Sequence, residues 1–132
     1  MASQQQIQAN RRNCRLSTGP RTPQGKAAVC QNARRYGFTS RDAVLPGESQ
    51  DEFLALLNAC RSDHQPQSPA QDDLVRQIAA ANWRIRRLQR IGASLSEEQF
   101  LHVFDQFLRH ENRFRRARRQ AILALIAAQD EA

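Results

Sequence analysis

The clearest pattern in the chain is a 4-3 spacing of apolar residues: Leu74, Ile78, Ala81, Ile85 and Leu88. This spacing keeps one side of an α-helix apolar and marks a seam that faces another helix. The helix runs from Pro69 to about Gly92. Ser68 is its N-cap, and Pro69 fills the first helical position, where its missing N–H has no partner to lose. Residues 92–96 break the pattern. Ser94 or Ser96 then caps a last helix over about residues 97–129, and Glu97 and Glu98 suit the positive end of its dipole. The stripe of this helix is Phe100, Phe104, Phe107, Glu111, Phe114, Arg118, Ala121 and Leu125.

At 1.5 Å per residue the last helix is roughly 50 Å long and its predecessor ~35 Å. A tight loop between them makes an antiparallel hairpin. The apolar end of the last helix, residues 121–128, then overshoots its partner. An earlier helix over about residues 50–63, capped by Glu48 or Ser49, covers that end with Phe53, Leu56 and Leu57. Pro46-Gly47 is the turn before it, and residues 65–69 end it. The expected fold is all-α: a three-helix bundle over residues 48–132, with a long antiparallel C-terminal hairpin. A basic, partly extended N-terminal arm over residues 1–47 precedes it and carries one short helix.

Residues 17–26, Ser-Thr-Gly-Pro-Arg-Thr-Pro-Gln-Gly-Lys, supply the arm's character. Two prolines remove backbone N–H groups, and two glycines add turn freedom. Residues 4–15 have helix-forming composition but are polar on every side. Residues 26–36 predict a short helix that Gly37 ends and Gly25 can open.

Charge changes the picture. The chain of 132 residues has a net charge of +7, and the first 41 residues hold eight basic side chains and no acidic one. Residues 50–82 are net acidic, and residues 83–132 are basic again. The cations are nineteen arginines and Lys26. Such clustering suits a polyanion, and guanidinium groups suit phosphate and stack on bases. In the arm the candidate phosphate contacts are Arg11, Arg12, Arg15, Ser17, Thr18, Arg21, Thr22, Lys26, Arg34 and Arg35. On the last helix Arg109, Arg113 and Arg116 share a face at i, i+4 and i+7. Arg84, Arg87 and Arg90 of the preceding helix extend the patch. Part of this charge is open to ordinary ion pairing, Glu111 with Arg115 and Asp72 or Asp73 with residues 115–118. Trp83 lies across from the seam among arginines. It is placed to stack on a base or, as the favoured reading, to be covered by Val29, Tyr36 and Phe38.

Other chemistry finds little support. Cys14, Cys30 and Cys60 have neither disulfide-frame nor zinc spacing and read as reduced thiols. His64, His102 and His110 lack partners at metal-ligand spacing. Gly25-Lys26 is not a phosphate-binding loop, because Gly19 is one position too far away and Ala27 replaces the required hydroxyl. The expectation is a non-enzymatic protein with no cofactor and no metal. The longest apolar run, residues 121–128, is far below the ~20 residues of a membrane span, so a soluble, cytoplasmic protein is expected.

The run from Asn10-Arg11 through residues 17–26 to Gln31-Asn32-Ala33 and Gly37 resembles the opening of a broad group of short basic bacterial proteins. Their S-T-G-P-[RK]-T-P-x-G-K tract precedes an N-A-x-[KR]-H-G segment. Residues 44–48 and 83–88 also resemble that group, so the likeness covers about the first 90 residues. Tyr36 stands where the group usually has His. Similar tracts occur in phage and mobile-element-like proteins. The resemblance implies a family marker and no particular activity.

The leading reading is a small Arg-rich nucleic-acid-binding protein that uses the arm and the helix-borne arginines to contact DNA or RNA phosphates. The alternative is a helical protein–protein interaction module. It would self-associate as a homodimer or serve as accessory subunit of a larger, mobile-element-related complex, with Phe100, Phe107, Leu125 and Ile126 in the interface. Binding to an anionic membrane needs a larger apolar face beside the arginines than the last helix offers.

Overall fold

The computed structural model describes residues 3–16, 19, 21–27 and 36–131, which are mostly helical with no β-strand among them. The chain divides into two units, residues 1–35 and residues 36–132. In the first, α1 spans Gln4–Leu16. Ser3 and Gln6 cap it reciprocally: the Gln6 N–H donates to Ser3 Oγ and the Ser3 N–H to Gln6 Oε1. None of its residues is buried. A second helical stretch covers residues 23–27. It opens at Pro23, because Thr22 Oγ1 accepts from the Gly25 N–H at 3.1 Å and acts as the cap, and positions 28–35 of the short helix expected over residues 26–36 lie outside the described residues.

The second unit is built on α2 (Gln50–His64), α3 (Pro69–Ser94) and α4 (Glu97–Asp130). Ser49, Ser68 and Ser96 are the three N-caps, each accepting from the backbone N–H three residues on, and Ser96 completes a capping box with Gln99. α2 ends on Gln65 in the left-handed region, with its N–H returned to the Arg61 carbonyl and Pro66 next in sequence.

α3 packs against both α2 and α4. The α3–α4 hairpin is the expected one, and Ile78, Ala81, Ile85 and Leu88 of the seam are buried while Leu74 is half-buried. One apolar cluster joins Leu57 and Cys60 of α2, Val75 and Ile78 of α3, and Ala121 and Leu125 of α4. The far end of α4 is therefore covered as its overshoot requires. Two amides fix it there. Gln71 Nε2 donates to the Ala128 carbonyl at 3.0 Å, and Gln129 Nε2 donates to the His64 carbonyl at 2.8 Å.

The connector over residues 36–49 belongs to this unit rather than to the arm. Phe38 is buried with Ile85, Leu88, Phe107 and Phe114, and Tyr36 stacks on it at 5.3 Å. The connector turns at Leu45-Pro46-Gly47-Glu48. The Glu48 N–H returns to the Leu45 carbonyl at 3.0 Å, and Gly47 has φ +91°, which is type II geometry. Gly37 also has positive φ, and a Cβ there would overlap Leu45 Cδ1.

An ion pair locks the connector down. Arg87, only 4% exposed, donates to Glu48 from Nε at 2.6 Å and from Nη2 at 2.7 Å. Its remaining donors reach the carbonyls of Gly37 and Ala43. Glu48 also accepts from the Trp83 indole at 2.8 Å and from the Leu45 N–H at 2.9 Å. Burial alone would raise the Glu48 carboxyl. The hydrogen bonds from Arg87, Leu45 and Trp83 outweigh it and hold the carboxyl at about 2 instead of 4.5.

Glu48→Gln leaves Arg87 buried without its counter-charge and is expected to cost ~3 kcal/mol in urea unfolding at pH 7. A depressed carboxyl stabilises the fold fully above its unfolded value, and that stabilisation disappears as pH falls from 4.5 toward 2. The same variant should therefore flatten acid unfolding over that window. Asp72, also held low by Arg61 and Arg76, leaves a residual slope. Gly37→Ala should destabilise by about 1–3 kcal/mol, read as a lowered Tm.

Candidate nucleic-acid interface

The body sorts its arginines into two groups. Arg61 and Arg76 both bind Asp72, at 2.7 and 2.9 Å, Arg115 binds Glu111 one turn away, and Arg87 and Arg90 bind Glu48. Asp72 thus turns to α2 and its own helix and not to residues 115–118. Arg118 instead donates to the Asn82 side chain at 3.1 Å. These groups hold the helices and the connector together.

Of the three α3 arginines expected at the surface, Arg87 is enclosed by the connector and contributes nothing to an exposed patch. Arg84 is half-buried. It donates to the carbonyls of Ser40 and Arg41, and its guanidinium lies 6.0 Å from the Phe114 ring. Arg90 is half-exposed, pairs with Glu48 at 3.3 Å, and covers the Trp83 ring at 5.0 Å. Trp83 is only 2% exposed and is not available to a base. Its cover differs from the expected one. Phe53 of α2 meets it edge-on at 5.7 Å, and Glu48 takes its N–H. Tyr36 and Phe38 pack on Phe107 instead. Val29 lies outside the described residues.

The second group lies on α4. Arg109, Arg113 and Arg116 are exposed on one side of the helix. Arg109 Nε reaches only its own helix, the Asp105 carbonyl at 3.2 Å, and among the described residues Arg113 and Arg116 have no ion pair. Like charges crowd here. Arg84 is lowered by burial and then by the neighbouring Arg87 and Arg113. His110 is lowered by burial and then by Arg113 and Arg109. Its ring packs 4.9 Å from Phe38 and 6.1 Å from Phe114, and its Nδ1 is buried with no hydrogen-bond partner among the described residues. Burial is the first cause for both groups, and the neighbouring arginines add to it.

In the N-terminal unit Arg11, Arg12 and Arg15 are exposed on α1. Arg11 and Arg15 share a face at i, i+4. Arg21 Nη2 donates to the Arg15 carbonyl at 2.8 Å and so caps the end of α1. The Thr22 hydroxyl is engaged as a helix cap, and Lys26 lies in the helical stretch that follows. Ser17, Thr18, Arg34 and Arg35 lie outside the described residues.

Sequence reasoning missed His110 as a member of this site. Its signal was present: it stands between Arg109 and Arg113 and on the inner edge of the Phe107–Phe114 stripe. Among the described residues no His, Cys, Asp or Glu cluster could hold a metal, and no helix is long and apolar enough to cross a membrane. No family model matches the chain, and neither a curated protein nor a solved structure is significantly similar to it.

A depressed histidine favours the fold above its unfolded value and opposes it as pH falls below 6.5. His110→Phe should therefore remove the part of the stability loss that begins below pH 6.5, measured as Tm against pH, while Glu48 still governs the more acidic window.

Proposed function

We propose that this is a small, non-enzymatic nucleic-acid-binding protein of the cytoplasm that contacts backbone phosphates. One observation carries the reading: Arg109, Arg113 and Arg116 form an exposed row without acidic partners, while the carboxylates Glu48, Asp72 and Glu111 are already taken by other arginines. Successive backbone positions in that row rise ~4.5–6 Å along the helix, a spacing suited to following a sugar–phosphate chain. A crowded positive surface gains free energy when a polyanion replaces its diffuse counterions.

The arm is the second contact in this reading. Arg11, Arg12 and Arg15 are exposed on a helix with no buried side chain, and Arg34, Arg35 and the tract around Ser17 and Thr18 add charge and hydroxyl donors. Recognition is by charge and shape. Trp83 is enclosed, and no exposed aromatic on α3 presents a stacking platform, so sequence preference is expected to be weak.

The test is binding of the full chain to labelled duplex DNA, single-stranded DNA and RNA across a salt series. Each arginine that contacts a phosphate should take ~0.9 off the log–log salt slope for duplex DNA when it is removed. Replacing Arg109, Arg113 and Arg116 with Gln should lower the slope by up to about 2.7 without lowering Tm. Replacing Arg11, Arg12 and Arg15 should lower it independently. Binding that ignores salt, or a triple variant that binds as well as the parent, would sink the proposal. A truncation aimed at the arm has to stop before Tyr36, because Phe38 belongs to the core.

A further inference from the structure

α4 is apolar on two sides. One carries Phe107, Phe114, Ala121 and Leu125 into the body. The other, about a third of a turn away, carries Leu101, Phe104, Leu108, Leu123 and Ile126. These five are 68%, 44%, 45%, 55% and 49% exposed. At 3.6 residues per turn they fall within about 100° of arc, along ~38 Å of helix. Exposed apolar residues scattered singly are ordinary, but these five share one arc of one helix, grouped toward its two ends with Asn112, Arg115 and Arg119 of the same arc between them.

We infer that this face pairs two copies of the chain, α4 against α4, in antiparallel orientation. The pattern is its own complement. The register that sets Leu101 opposite Ile126 also sets Phe104 opposite Leu123. Leu108 then meets the aliphatic stem of Arg119, whose charged end can turn outward. A two-fold interface needs this reciprocity, in which residue i meets j and j meets i.

Charge selects the same orientation. The first half of the helix holds Glu97, Glu98, Asp105 and Glu111 against Arg109 and Arg113 and is net acidic, and the second half holds Arg115, Arg116, Arg118 and Arg119 against Asp130 and is net basic. Antiparallel pairing sets acidic halves against basic halves, whereas parallel pairing sets like against like. Along the flanks Asp105 meets Arg119 of the second copy, and Glu111, already joined to Arg115 of its own helix, gains a second Arg115. Arg109 and Arg113 point away from this face, and Arg116 lies at its edge, about 20° from Leu123, so pairing leaves two of the three arginines of the basic row open. Phe107 and Leu125, expected from sequence in an interface, are instead core residues.

Sedimentation equilibrium of the full chain over a concentration series tests this. A concentration-dependent dimer is expected, and Leu101→Glu with Leu108→Glu should weaken it by at least ~100-fold with the circular dichroism unchanged. Asp105→Arg alone and Arg119→Asp alone should each weaken it about tenfold, and the two together should restore it. These residues are 14 positions apart on one helix, so only contact between copies can produce that rescue. A monomer at every concentration, or a dimer indifferent to both glutamates, overturns the inference and leaves the face to a different partner. Loss without rescue in the charge swap overturns the antiparallel register.

Discussion

The buried pair between Glu48 and Arg87 is the constraint on which the rest of the second unit depends. It joins residues 39 positions apart in sequence and closes the connector over α3. An isolated guanidinium at that depth would be strongly unfavourable. Here every charge-bearing edge is met: two bonds from Glu48 and the carbonyls of Gly37 and Ala43. Such a pair adds little net stability over an apolar substitute, but breaking it from one side is costly. It fixes where Phe38 enters the core and where α2 begins, since Glu48 immediately precedes the Ser49 cap.

That closure also divides the charge of the molecule. Glu48, Asp72 and Glu111 are committed to arginines that hold helices together, and among the described residues no ion pair reaches Arg109, Arg113 or Arg116. The net excess of cations in the chain lies in residues 1–35, while in the second unit Arg109, Arg113 and Arg116 form a local row outside the ion pairs. The apolar face formed by Leu101, Phe104, Leu108, Leu123 and Ile126 lies on a different side of the same helix. One long helix thus carries three separate faces, one for the core, one apolar and open, and one basic.

The helices were legible because their signals are local. Ser49, Ser68 and Ser96 cap where cap chemistry places them, and the 4-3 spacing of α3 identifies the buried seam. Periodicity does not register which arginines are enclosed. Arg84, Arg87 and Arg90 look alike as a basic row, yet their exposure depends on a connector held by a glutamate far away in sequence. Likewise Asp72 was open to several partners until the angle of α2 brought Arg61 to 2.7 Å. The α4 stripe was misread in part for the same reason. Phe104 belongs by spacing to the apolar run, but it lies about 60° around the helix axis from Phe107, away from the core, and is left 44% exposed.

The most direct measurement follows the arginine side-chain Nε–H resonances of the full chain by NMR as a duplex is added. The account predicts that the signals of Arg109, Arg113 and Arg116 shift, while that of Arg87, enclosed with Glu48, stays in place. Silent signals from the α4 row, or a response centred on Arg87 and Arg61, would contradict it.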